Sequence, residues 1–230
     1  GIGGSRVTNL GSIAADNAVK EAQSEVFKLA AELQNWPEEQ LVIQGDKLMR
    51  TDTGESQPWH ELVARTSQPV IGRAEASARG ADVTGYTAQV AEVAVDTETG
   101  QVTLLKLTSA HDTGRIVNPI GHQGQINGGA MMGVGYGMLE ELVREDGHVS
   151  TLSFADYKVL CMADIPEFRT VILGTEGKGV GPYGIKSIGE SPNAPTAAAI
   201  ANAVEDAVGI RIRDLPVTAQ KVYEALQAAK

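Results

Sequence analysis

Residues 124–142 read GQINGGAMMGVGYGMLEEL. Six glycines fall between Gly124 and Gly137, yet Ile126, Ala130, Val134, Met138 and Leu142 recur at steps of four, the spacing that keeps side chains on one face of an α-helix. Each glycine inside a helix costs about 1 kcal/mol relative to alanine. A helix carrying so many must recover that loss by letting another backbone approach closely, so this segment is expected to be a buried helix.

Upstream, YTAQVAEVAV and QVTLLKLTSA flank the turn DTETG and read as a half-buried antiparallel hairpin, followed by the turn-rich HDTGRIVNP. Downstream, RTVIL at residues 169–173 reads as a strand before a second glycine-rich stretch, GTEGKGVGPYGIKSIGESPNAP. Pro195 and Thr196 then open an Ala-rich helix to about Val208, and Thr218 caps a last helix carrying Val222 and Leu226. At the other end, residues 1–8, GIGGSRVT, read as a loop. Ser12 is expected to cap an amphipathic helix that buries Val19, Ala22, Val26, Leu29, Ala30 and Leu33 and that Pro37 terminates near Asn35. LVIQ and KLMR around Gly45-Asp46 suit a hairpin with a type II′ turn, and residues 59–66 a short helix. Helices and strands in this order predict an α+β fold, a mixed sheet packed with helices. No repeat or linker composition is visible, so residues 1–230 read as one compact unit.

The 230 residues carry 19 Lys+Arg against 29 Asp+Glu, a net charge of −10 that argues against a nucleic-acid or anionic-membrane partner. No apolar run approaches the roughly 18 residues of a membrane span, and no export signal is visible, which suggests a cytoplasmic location with a periplasmic one as the alternative. The single cysteine, Cys161, excludes an internal disulfide framework or an iron–sulfur cluster held by this chain alone, and its apolar neighbours suggest a small core residue. Because the chain opens on Gly1 and a glycine-rich motif, a preceding segment is expected to be missing.

Three polar or glycine-rich loops, GGSRVT, HQGQ and KSIGESPNAP, each sit where a helix is expected to begin, so free N–H groups could grip an anion there. Glu190, in the turn Gly-Glu-Ser-Pro, could act as a general base in a dry, glycine-walled site, or simply satisfy amides at the start of the Ala-rich helix. Gln125 offers an amide that both donates and accepts, or else is a helix-capping or solvent-facing glutamine. Asp112 beside His111 reads as a turn-fixing carboxylate, His60, His122 and His148 lack metal-ligand spacing, and GTEGKGVG, without a Gly-Lys-Ser/Thr ending, reads as a mobile loop.

Taken in order, GGSRVT, then DTGRIVNPIGHQGQINGGAMMGVGYGMLEEL, then GIKSIGESPNAPTAAAIANAVEDAVGIRI and LPVTAQKV resemble the C-terminal part of the molybdopterin-binding (large) subunit of the xanthine dehydrogenase and aldehyde oxidase family. The resemblance covers essentially the whole chain and implies the second lobe of the cofactor-binding domain. It implies that Glu190 is the active-site glutamate, that Gly4, Ser5, Arg6 and Thr8 belong to the loop reaching the pterin and phosphate end, and that Gln125 and Gly189 contact the cofactor. Molybdenum would be held by the pterin rather than by protein ligands. Asn127 and Ser187 depart from the family pattern, where an acidic residue and a glycine are common, and are expected to tune packing.

The implied activity is a molybdenum hydroxylase that oxidises an aldehyde or N-heterocyclic carbon with water-derived oxygen, Glu190 serving as general base at the molybdenum hydroxyl. The implied cofactor is molybdopterin in its cytosine dinucleotide form. The implied partners are an N-terminal lobe or subunit, a [2Fe–2S] subunit and an FAD subunit. The competing reading is a non-catalytic cofactor-binding or structural subunit of such a complex.

Overall fold

The computed structural model describes residues 3–77, 83–175, 179 and 183–229. In chain order it has α1 (Arg6–Gln34), β1 (Leu41–Gln44), β2 (Lys47–Arg50), β3 (Ser56–Pro58), α2 (Trp59–Val63), β4 (Thr87–Val95), β5 (Val102–Gly114), α3 (Pro119–Met138), β6 (Arg144–Glu145), β7 (His148–Val149), α4 (Phe154–Tyr157), β8 (Glu167–Gly174), α5 (Thr196–Val208) and α6 (Ala219–Ala228). The α+β expectation holds. By its internal contacts the chain divides into two compact units, residues 7–81 and residues 1–6 with 82–230. One crossing between them falls at Arg6, in the first turn of α1, so no change of composition marks it.

In the 7–81 unit, the hairpin pairs Leu41 with Arg50 and Gln44 with Lys47 across Gly45-Asp46, and β3 adds to β2. Gly45 has φ +61°, the value that position one of a type II′ turn requires and that glycine adopts without a Cβ penalty. Val26, Ala30, Leu41, Leu48 and Leu62 form the core. α1 is longer than expected: it starts at Arg6, not after Ser12, so Thr8 lies in the helix, and the Ser12 hydroxyl donates to the Asn9 carbonyl instead of capping. Pro37 follows the helix end as expected, after Asn35 turns left-handed at φ 55°.

In the larger unit, the sheet order is β4-β5-β8, with β4 antiparallel and β8 parallel to β5. A bulge shifts the β4–β5 register at Glu92/Val93, where Glu92 pairs with Lys106 and Val93 with Leu104. The extra residue switches the parity of β5, so its buried set runs Val102, Leu104, then Leu107, Ser109, His111 and Thr113. β5 therefore continues through HDTG, where the sequence suggested a turn. Leu104 and Leu107 pack with Ala130, Val134 and Ile200 from α3 and α5. Val102 packs with Val204, Ile210, Ile212, Val217 and Val222. Burial of each such aliphatic side chain contributes about 1.5–3 kcal/mol.

α3 starts at Pro119, earlier than expected: Pro occupies the first helical turn, and the Asn118 side chain caps it by accepting from the Gly121 N–H at 3.0 Å. HQGQ thus lies inside the helix. The close approach its glycines imply is real at Gly129, Gly133 and Gly137, where a Cβ would stand 2.9 Å from Pro192 Cβ, 2.4 Å from Thr196 Cβ and 3.3 Å from Ala197 Cα. α5 and α6 have the expected boundaries, with Gly209 left-handed after α5 and Thr218 capping α6. Cys161 is exposed, not a core residue, because it sits in the irregular segment before a short 3-10 turn. Of the run GTEGKGVG, residues 176–178 and 180–181 lie outside the described residues.

Candidate functional site

The 184–193 loop carries Glu190 and is anchored along its length. Ile185 bridges Gly114 at the end of β5, Arg115 N–H donates to the Gly184 carbonyl at 2.9 Å, and Lys186 N–H donates to the Thr113 carbonyl at 3.2 Å. The Lys186 ammonium is buried and donates to Asp112 Oδ2 at 2.5 Å and to the Thr84 carbonyl at 2.9 Å. Asp112 also accepts from the Thr175 hydroxyl and the Gly114 N–H. Burial pushes the Asp112 carboxyl upward, but the bonds from Lys186, Thr175 and Gly114 outweigh it and hold the group below the usual carboxylate range. The expected turn-fixing role for Asp112 is therefore replaced by a buried ion pair, since β5 runs on through it.

Beyond Glu190, the Pro192 carbonyl accepts from Gln89 Nε2 at 2.7 Å and from the Thr196 hydroxyl at 3.1 Å, and the Asn193 carbonyl accepts from the Tyr136 hydroxyl at 2.9 Å. Gln89 Nε2 also donates to Ser109 Oγ at 2.8 Å, Ser109 Oγ lies 2.6 Å from His111 Nε2, and Thr87 Oγ1 lies 3.2 Å from His111 Nδ1. Ser109 Oγ and Thr87 Oγ1 thus give both ring nitrogens of His111 a hydrogen-bond partner. Burial lowers the His111 pKa and so favours the neutral ring.

Three segments distant in sequence meet at residues 187–190. Ser187 Oγ donates to the Gly4 carbonyl at 2.5 Å, Ser5 Oγ accepts from the Ile188 N–H at 3.1 Å, and Gly4 N–H donates to Glu190 Oε2 at 3.4 Å. Gly4 and Ser5 both hold left-handed backbone, at φ 60° and 54°, which turns the chain into α1 at Arg6. From α3, Gln125 Oε1 faces Gly189, where a Cβ would stand 3.4 Å away. A Cβ on Gly3 would stand 3.7 Å from Glu190 Oε1 and one on Gly4 3.6 Å from Ser187 Oγ. Glycine at all three positions leaves room beside the carboxylate, the amide and the hydroxyl for a group lying against backbone.

Of the residues singled out in the sequence, Gly4, Ser5, Gln125, Gly189 and Glu190 come together, and Arg6 follows directly as the first residue of α1. Thr8 lies further along that helix, in the other unit. Glu190 does not cap α5, whose N-cap, Pro195, receives no side-chain bond. Glu190, Gln125 and Gly4 are exposed. The departures have partners. Ser187 ties the loop to Gly4, and Asn127 accepts from Gln123 at 2.5 Å beside Thr170. Gln89, Ser109 and Lys186 escaped sequence reasoning because their roles depend on strand pairing and on a bulge. Among the described residues no group of three or more His, Cys, Asp or Glu could hold a metal ion, and no helix is long and apolar enough to cross a membrane.

A family model for the molybdopterin cofactor-binding domain matches residues 1–166. The putative xanthine dehydrogenase molybdenum-binding subunit of Escherichia coli K12 is 36% identical over 140 residues, 60% of this chain and 18% of that protein. The gamma subunit of the 6-hydroxypseudooxynicotine dehydrogenase complex of Paenarthrobacter nicotinovorans is 28% identical over 236 residues, 97% of this chain and 30% of that protein. Among solved structures, quinoline 2-oxidoreductase of Pseudomonas putida 86 superposes with a TM-score of 0.80 at 26% identity, covering 96% of this chain and 30% of that one. The chain thus spans less than a third of the length of these relatives.

Proposed function

The chain belongs to the molybdopterin cofactor-binding domain family, and from that premise we propose that it forms one side of the active site of a molybdenum hydroxylase, with Glu190 as the general base. The observation that carries this reading is the meeting of the Gly3–Ser5 turn, Gln125 and residues 187–190 around a carboxylate that takes no part in helix capping. When bound, a molybdenum–pterin group supplies Lewis-acid activation of a water-derived oxygen and takes up the electrons lost by the substrate carbon.

The protein's part is positioning and proton transfer. Glu190 accepts the proton at one carboxylate oxygen while Gly4 N–H orients the other. Gln125 presents a donor and an acceptor to a heterocycle edge. Gly3, Gly4 and Gly189 allow backbone contact, and the positive charge of Arg6, the first residue of α1, favours the anionic end of the cofactor. Bases of this kind work with water excluded, so a second lobe would cover the exposed Glu190. Partner chains with [2Fe–2S] centres and FAD would carry electrons away, the cofactor would be the cytosine dinucleotide form, and the substrate an aldehyde or N-heterocyclic carbon.

In the assembled enzyme purified from its host, Glu190→Gln should lower kcat by roughly 100-fold or more with molybdenum and pterin content unchanged. Normal turnover in that variant would refute the assignment and leave the chain a cofactor-binding or structural part.

A further inference from the structure

On both sides of Glu190 the loop is held by buried polar groups that do not touch the carboxylate. Four residues before it, Lys186 is 5% exposed, and its ammonium is paired to Asp112 of β5 and bonded to the Thr84 carbonyl. Two residues after it, the Pro192 carbonyl is held by Gln89 of β4, itself fixed by Ser109, which His111 holds in turn. Both holds originate on adjacent strands of one sheet, and His111 and Asp112 are neighbours on β5. A buried ion pair is a poor device for stability, since well-packed apolar residues of similar volume often serve as well or better. What it does supply is direction: the Lys186 ammonium bonds Asp112 and the Thr84 carbonyl, and the Gln89 amide nitrogen bonds Ser109 and the Pro192 carbonyl, so each ties the loop to fixed points on or beside the sheet.

We propose that Lys186 with Asp112, and Gln89 with Ser109 and His111, form a two-point clamp that sets the position of the Glu190 carboxylate. These are positioning residues, and the proposal rests on the assignment of Glu190 as the base. A base displaced by about 1 Å loses up to roughly 100-fold in rate, so the clamp should act on turnover while leaving substrate and cofactor binding in place.

The test uses the assembled enzyme from its host carrying Glu190→Gln, the double substitution Lys186→Met with Asp112→Leu, or Gln89→Leu. For each, kcat, KM, molybdenum and pterin content, thermal midpoint and hydrogen exchange of residues 184–193 are measured. The double variant is expected to keep its thermal midpoint and cofactor content while kcat falls roughly 10- to 100-fold, KM changes little and exchange at residues 184–193 accelerates. Gln89→Leu should do the same, and it carries the test if the double variant does not assemble. Added to Glu190→Gln, neither should lower kcat further. Clamp variants with normal kcat at full cofactor content, or with unchanged exchange at residues 184–193, overturn the clamp. If they turn over normally while Glu190→Gln is inactive, the clamp alone fails; if Glu190→Gln itself turns over normally, the base assignment fails and the clamp with it.

Discussion

His111 and Asp112 are adjacent on β5, send their side chains to opposite faces of the sheet, and make the fold sensitive to acid for different reasons. Burial lowers the His111 pKa below its unfolded value near 6.5, so as pH falls past about 6.5 the unfolded chain takes up a proton that the native chain refuses. For Asp112, burial acts upward but is outweighed by the bonds from Lys186, Thr175 and Gly114, so its stabilising contribution is complete above about pH 4 and fades as pH drops below that. Urea unfolding followed from about pH 7.5 down to about pH 2 should show stability declining in two stages. His111→Gln should flatten the upper stage; a wild-type slope that survives that substitution unchanged would refute the assignment. At this scale the sequence was legible where chemistry is local. Glu190 and Gln125 stood out from their local sequence, Gly4, Ser5 and Gly189 only through the family resemblance, and the five residues do meet. The pairing of residue 112 with residue 186 was not legible, because a buried charge pair is written in strand register and not in neighbouring residues.

α3 has two glycine faces of opposite character. On one, Gly133 lies against the buried Thr196, where a Cβ would approach Cβ and Oγ1 to 2.4 Å; on the other, Gly124 and Gly128 have nothing within 4 Å of a Cβ. Alanine at the two faces should therefore act with opposite sign. Gly133→Ala forces α5 away and should destabilise by about 1–3 kcal/mol, whereas Gly124→Ala gains helix propensity and should stabilise by about 0.5–1 kcal/mol. Thermal or urea denaturation of both variants checks the pair, and a stabilised Gly133→Ala would show that the close approach to Thr196 is wrong. Step-of-four periodicity made this helix and its buried face readable. Its start was missed because Asn118 and Pro119 fell in a segment that looked like a turn, and the last residues of β5 were missed because HDTG, the start of that same segment, carries turn-forming Asp and Gly.

The described residues hold two sets of cores, one built on Leu48 and Leu62 within residues 7–81 and one on Leu107, Ile200 and Val204 within the larger unit. Composition gave no sign of this, since the boundary at Arg6 lies within a continuous helix. The distribution of tryptophan offers a direct probe: both, Trp36 and Trp59, belong to the 7–81 unit, so intrinsic fluorescence reports that unit while far-UV circular dichroism reports every helix. Leu62→Ala opens a cavity in the smaller core and Ile200→Ala one in the larger, each costing about 2–5 kcal/mol. If the two cores unfold separately, Leu62→Ala shifts the fluorescence midpoint and Ile200→Ala leaves it in place while moving a second transition seen by dichroism. Equal shifts of a single coincident transition in both variants would mean that the helix running through Arg6 couples the units into one cooperative fold, and that stability lost in either core is felt at the glycine-walled site as well.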